Sequence, residues 1–182
     1  MAAVCVYCSS SDDIAPSYLV LAATVGRRIA AGGHTLVSGG GQVSMMGAVA
    51  RAARAGGAHT VGVIPEHLLR YEVGDVDADE FHVVSTMRER KQLMDDKSDA
   101  FLVLPGGLGT LEEFFEVWTA MSLGMDSKPV IVLDADGFYD PLWRFLDDLG
   151  HRGFIRASSW ESVQRVGTVE AAFELIESEA RS

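Results

Sequence analysis

Residues 100–123 run from an apolar segment straight into a glycine turn and then a helix. The apolar segment is Ala100-Phe101-Leu102-Val103-Leu104, and the turn is Pro105-Gly106-Gly107-Leu108-Gly109. Apolar residues then recur at helical spacing over 110–123. Strand, glycine turn and helix together place backbone N–H groups around an anion. The glycines let the chain approach a phosphate closely and adopt positive φ without a Cβ clash. Thr110 is placed to cap the helix, and Glu113, three residues on, completes a capping-box spacing. The structural reading of Thr-x-x-Glu is that cap alone. The functional reading starts from a conflict: a carboxylate beside a phosphate repels it, so Glu113 is a candidate for chemistry. No Gly-Lys-Ser/Thr follows, so this is not a Walker loop, and the spacing departs from the dinucleotide fingerprint at its last glycine.

The rest of the chain alternates in the same way. Strands are predicted at 4–8, 35–38, 60–64, 81–84, 100–104, 130–133 and 162–166. Helices are predicted at 18–31, 46–55, 87–97, 110–123, 139–149 and 169–179, and Gly32-Gly33 and Gly56-Gly57 stop the first two. Residues 65–80 read as a partly helical, acidic surface loop. Short Val/Ile/Leu-rich strands between helices predict an α/β fold of the Rossmann-like, doubly wound kind. The sheet should be mostly parallel, with about seven strands and helices on both faces. No linker or repeat divides residues 1–182, which read as a single domain. Ligands of such folds bind beyond the carboxyl ends of the strands. Here those segments include Ser9-Ser10-Ser11, Gly39-Gly40-Gly41 and the 105–110 turn. Ser9, Gly40, Gly41 and Gly106 are therefore candidate phosphate or ribose contacts.

Charge narrows the partners. The net charge of −11 argues against nucleic acid, whose binding needs clustered Lys and Arg. Much of the excess lies in Glu66, Glu72, Asp75, Asp77, Asp79 and Glu80, read as solvated surface. No apolar run is long enough to span a bilayer, and the first residues show no signal-peptide pattern, so a cytoplasmic location is expected. Cys5 and Cys8 sit inside a strand on opposite faces, which predicts buried structural thiols rather than a redox or zinc motif. The five histidines fall in no metal-ligand spacing, so no metal is expected.

One helix carries cations in its apolar stripe. Met87, Arg90, Lys91 and Met94 share a face by i, i+3, i+4, i+7 spacing. The plain reading is a pair of snorkelling side chains or an ion pair with Glu89 or Asp95. The functional reading is a guanidinium that meets a phosphate or the sugar of a ligand.

Taken together, Arg90-Lys91, Ser98-Asp99-Ala100-Phe101 and Pro-Gly-Gly-x-Gly-Thr-x-x-Glu resemble the Lonely guy family of cytokinin riboside 5′-monophosphate phosphoribohydrolases, long labelled possible lysine decarboxylases. The resemblance runs from Val4 through Gly39 and Gly47 at least to Ile155. It implies hydrolysis of the N-glycosidic bond of a purine nucleoside 5′-monophosphate by a homodimer without a cofactor. It implies a catalytic pair, Arg90 and Glu113. It also implies nucleotide contacts from Glu72, Arg90, Lys91, Gly107, Leu108, Gly109, Thr110, Leu111, Glu112, Glu113 and Thr119. Ala120, Ser122 and Ser44 depart from the family pattern, the last standing where a glycine is frequent. Two alternatives stay open: a broader nucleosidase acting on AMP and related monophosphates, and a non-catalytic carrier of nucleotide or molybdenum cofactor. The decarboxylase label fits poorly, since none of Lys91, Lys97 and Lys128 has a recognisable pyridoxal phosphate context.

Overall fold

The computed structural model describes residues 1–70 and 73–179. Seven strands alternate with helices: β1 (Ala3–Tyr7), α1 (Pro16–Ala31), β2 (Thr35–Ser38), α2 (Ser44–Ala55), β3 (Thr60–Pro65), β4 (Glu80–Val84), α3 (Met87–Asp96), β5 (Ala100–Val103), α4 (Leu108–Ser122), β6 (Val130–Leu133), α5 (Asp140–His151), α6 (Ala157–Glu161), β7 (Val163–Val166) and α7 (Val169–Glu179). A short 3-10 helix, Glu66–Arg70, follows β3. All the strands pair in parallel, in the order β4-β3-β2-β1-β5-β6-β7. The order reverses between β1 and β5, and this opens a crevice at their carboxyl ends. No helix of the described residues is long and apolar enough to cross a membrane.

The pleat divides the core in two. Val4, Val6, Leu102, Leu104 and Ile131 pack on one face with α1, α2 and α7. Cys5, Tyr7, Val37, Phe101, Val103 and Val132 pack on the other with α3, α4 and α5. Cys5 and Cys8 fall in different layers, both buried and unbridged, as a strand at 4–8 requires. Burial pushes the Cys5 thiol up to about 12 and the Cys8 thiol up as well, so neither is a ready nucleophile. Helices α1 and α2 cross at Gly26, where a Cβ would stand 2.4 Å from the Val49 carbonyl oxygen.

Three expectations need correction. The helix after β5 starts at Leu108, not Thr110, with Gly107 as its N-cap and no side-chain cap. Helix α6 was not foreseen, because Ala-Ser-Ser-Trp-Glu carries no apolar period. The acidic stretch is not simply solvated surface. Asp75 is buried and takes a two-pronged contact from Arg54, at 2.8 and 2.9 Å. Asp79 accepts from the Thr60 N–H at 2.8 Å. Glu80 pairs with Lys97, His59 and His82 and is held at about 2, chiefly by Lys97. These carboxylates fasten the 73–80 segment to α2 and β3.

Candidate active site

The crevice between β1 and β5 holds a cavity of about 280 Å³. Ser9, Ser10 and Ser11 line it from beyond β1, and Gly39 from beyond β2. Arg90 enters from α3, and Gly107, Leu108, Gly109, Thr110 and Glu113 from the start of α4. Met46, Leu68, Met87 and Met94 supply apolar wall. The Ser9 N–H donates to the Pro105 carbonyl at 3.2 Å, which ties the hydroxyl-rich segment to the glycine turn.

Arg90 is placed by a well-defined helix start. Thr86 caps α3 by accepting from the Glu89 N–H at 3.1 Å, and Glu89 accepts from the Ser85 N–H at 2.8 Å. One turn in, the Arg90 side chain runs under the sheet ends, only 9% exposed. Its Nε donates to the Val63 carbonyl at 3.1 Å and its Nη2 to the Gly39 carbonyl at 3.3 Å. Nη1 lies 3.5 Å from Glu113 Oε1. A Cβ at Gly39 would stand 1.8 Å from Nη2, so a larger residue there would have to displace the guanidinium. Two of the guanidinium's faces are thus satisfied by backbone, and the third meets Glu113.

Glu113 is buried, and burial raises its carboxyl to about 7 against the opposing pull of Arg90. Glu112 and Glu116 add to the upward push. Near neutral pH this carboxyl is divided between its two protonation states, the range in which a group can hold or move a proton. Because α4 begins at Leu108, Glu113 stands in the second turn and takes no part in capping. A cap therefore does not explain its burial.

The turn ahead of α4 suits an anion. The N–H groups of Leu108, Gly109 and Thr110 belong to the first helical turn, where no preceding carbonyl is in reach. Thr110 is buried, and its hydroxyl packs on Gly106, where a Cβ would stand 2.1 Å from Oγ1. The turn is closed on that side by shape.

Other expected contacts fall elsewhere. Lys91 lies outside the cavity lining, held by Glu112 at 2.5 Å and Glu116 at 2.7 Å, and so staples α3 to α4. Leu111 packs partly buried against the second core layer. Gly40, at φ +72°, packs on the Val63 backbone, and its carbonyl accepts from the Asp75 N–H at 2.8 Å. Gly41 bridges to Gly74 in antiparallel sense. These two glycines hold the acidic loop in place, while their neighbour Gly39 reaches the cavity. Thr119 opens into a separate groove with Phe115, Trp118, Ser122, Leu123 and Phe154. Glu72 lies outside the described residues.

Two contributors were not foreseen. Gly39 belonged to a visible Gly-Gly-Gly run, but nothing local showed which glycine would meet Arg90. Ser44 adopts φ +49°, in the left-handed region that favours glycine, and its hydroxyl donates to the Ser11 carbonyl at 2.5 Å. Ser44 thus keeps a glycine-like backbone and adds a tether to the hydroxyl-rich segment. The three lysines all sit in ion pairs outside the cavity lining, Lys91 as above, Lys97 with Glu80 and Lys128 with Asp95.

A family model described as possible lysine decarboxylase matches residues 46–176. A relative from Mycobacterium tuberculosis, named cytokinin riboside 5′-monophosphate phosphoribohydrolase, is 51% identical over 93% of this chain and 90% of its own. One from Oryza sativa subsp. japonica, with the same name and the suffix LOG, is 45% identical over 84% of this chain and 63% of its own. Among solved structures, the molybdenum cofactor binding protein from Rippkaea orientalis aligns with a TM-score of 0.71 at 26% identity, covering 97% of this chain and 95% of that one. The molybdenum cofactor carrier protein from Chlamydomonas reinhardtii aligns with a TM-score of 0.74 at 21% identity, over 99% and 98% of the two chains, which marks a common fold. The motif that joins Arg90 to the 107–113 turn and the identity across almost the whole length agree: this chain belongs to the Lonely guy family, the one whose model is described as possible lysine decarboxylase.

Proposed function

We propose that this chain hydrolyses the N-glycosidic bond of cytokinin riboside 5′-monophosphates, releasing the free base and ribose 5-phosphate. The observation that carries the reading is the buried Arg90–Glu113 pair, 3.5 Å apart, facing a cavity that also receives the start of α4. The names of the relatives supply the substrate class. The 5′-phosphate sits at the first-turn N–H groups of α4. Departure of the base leaves an oxocarbenium-like centre on the ribose. The Glu113 carboxylate stabilises that charge and orients or deprotonates the attacking water. Arg90 holds the phosphate–ribose region or assists the leaving base. Charge stabilisation and a placed water are what this chemistry asks for, and these side chains supply both.

The protein works as a homodimer in the same proposal. Leu123 and Phe154, 62% and 77% exposed, flank the Thr119 groove, and a second copy would cover them. A concentration-independent monomer in light scattering would reject this. A cytoplasmic location accompanies the reading.

The test is base release, followed by chromatography, from AMP and N6-isopentenyl-AMP in parallel, with Glu113→Gln as control. Release that vanishes in the variant supports the reading, and the ratio of kcat/KM values assigns the preferred base. Absence of release from both substrates would overturn it in favour of a non-catalytic binding protein.

A further inference from the structure

Tyr139, in the turn before α5, lines no part of the cavity, yet its hydroxyl is spent on the glycine turn. The side chain is 4% exposed and packs in the second core layer. Its O–H donates to the Leu104 carbonyl at 2.8 Å. The hydroxyl is therefore bonded to the carbonyl immediately before Pro105. A buried tyrosine always seeks a partner for its hydroxyl. What sets this one apart is that its partner opens the turn that presents the N-terminus of α4.

Tyr139 is itself held from the ends of the neighbouring strands β6 and β7. Its N–H faces the Asp134 carboxylate at 3.3 and 3.4 Å. The Asp134 side chain is fully buried and accepts from Arg165 Nε at 3.1 Å and Nη2 at 2.7 Å. The Asp134 N–H donates to the Val166 carbonyl at 2.9 Å. The ends of β7, β6 and β5 are thus joined in series, Arg165 to Asp134 to Tyr139 to the turn. Burial raises the phenol far above the neutral range, so it remains a proton donor there.

The turn has need of such a clamp. At Gly107 and Gly109 a Cβ would meet nothing within 4 Å, so side-chain packing does not fix them. Glycines are the residues with most backbone freedom to lose, and an anion cradle gains affinity when that freedom is removed beforehand. We propose that Tyr139 is a positioning residue for phosphate binding, its hydroxyl holding the Leu104 carbonyl at the entry to the glycine turn so that the first turn of α4 meets the 5′-phosphate in a preset geometry. This rests on the nucleotide reading of the same cavity.

The test is made in the full chain. AMP and inorganic phosphate are titrated calorimetrically into Glu113→Gln, and into the same variant carrying Tyr139→Phe. The hydroxyl's loss should raise the Kd for AMP about tenfold, the effect of one hydrogen bond's worth of preorganisation. In the active chain Tyr139→Phe should raise KM by a similar factor and leave kcat within about twofold. A purely structural hydroxyl would lower the Tm and leave Kd and the KM-to-kcat split unchanged, and that result overturns the proposal. Asp134→Asn keeps the side chain's shape, weakens the Arg165 link, and should raise Kd by a smaller factor. If Tyr139→Phe does not fold, an unchanged Kd in Asp134→Asn overturns the proposal by itself. If the Glu113→Gln parent binds neither AMP nor phosphate, the nucleotide reading fails and takes the positioning role with it. If the parent binds and the double variant binds equally well, only the role of Tyr139 fails.

Discussion

Helix α4 borders two hollows of nearly equal size, about 280 Å³ at its start and about 290 Å³ near its end. The first gathers Arg90, Glu113, three serines and a glycine turn. The second is walled by Phe115, Trp118, Leu123, Leu146 and Phe154, with Thr119 and Ser122 among its few polar groups. Thr119 lies six positions beyond Glu113, a rise of about 9 Å and a rotation of about 240°. One helix therefore serves two environments. At its start, burial without full pairing moves a carboxyl into the neutral range. At its end, aromatic packing and exposed apolar side chains make a surface suited to covering. Volume does not distinguish these hollows; the fate of their polar groups does.

The largest effect expected at the first hollow is that of Glu113→Gln. It keeps the side chain's size and should lower kcat for base release by about 10³, within the range for general acid–base groups. A kcat within a few-fold of wild type would place the chemistry elsewhere and erase the contrast between the two ends.

Next comes Gly39→Ala. The added Cβ would stand 1.8 Å from Arg90 Nη2, and a guanidinium boxed in by the Val63 carbonyl and Glu113 has little room to yield. We expect kcat/KM to fall about tenfold or more, the scale of a misplaced contact in a preorganised site. Unchanged kinetics would show that Arg90 need not occupy its observed seat.

A third test uses pH. The folded chain holds Glu113 at about 7, above its ordinary 4.5. Folding therefore favours the protonated form. The stability this contributes is fully present below 4.5 and is lost as pH rises through about 7, amounting to about 3 kcal/mol. Glu113→Gln, always neutral, should match wild type near pH 4.5 and melt about 5 °C higher at pH 8. Arg90 keeps its two carbonyl acceptors in that variant, so the loss of its carboxylate partner offsets only part of the gain. Equal melting curves at pH 8 would show that Glu113 is better solvated than its burial implies. In activity, a catalytic carboxylate gives a kcat/KM that climbs with pH through the same range, and a falling limb there would recast Glu113 as the proton donor.

The smallest effect belongs to the second hollow. Thr119→Ala should change kcat/KM by no more than about threefold within one chain, because its side chain does not reach the first cavity. A loss as large as that of Gly39→Ala would mean that the two hollows meet around one substrate, and would sharpen the case for a second copy.

Much of this was legible beforehand because it is local. Short Val/Ile/Leu strands with helix-period segments between them gave the parallel sheet. The pleat of 4–8 set Cys5 and Cys8 apart. The Pro105–Glu113 run marked the candidate ligand end, where the cavity lies. The misread features depend on partners far along the chain. The seat of Arg90 is made by carbonyls 27 and 51 positions away. Asp75 reads as one more surface acid until Arg54, 21 positions off, is seen to bury it. The misplaced cap at Thr110 has another cause. Thr-x-x-Glu is compatible with a helix that starts at either residue, and the packing of the Thr110 hydroxyl on Gly106 decided for the earlier one.

The sequence by itself determined the class of fold and the order of most of its elements, and it marked the glycine turn, Arg90 and Glu113 as candidates, the last two joined as a pair only by the family resemblance. Periodicity and glycine placement act over a few residues, so they survive without knowledge of the rest. Only the tertiary structure decided that Glu113 is desolvated enough to titrate near neutrality. It alone chose Gly39 over Gly40 and Gly41 for the cavity, turned Thr119 away from it, and tied Tyr139 to the start of the glycine turn. Burial, dielectric and contact are properties of surroundings, and here those surroundings come from strands and loops that meet only when the sheet closes.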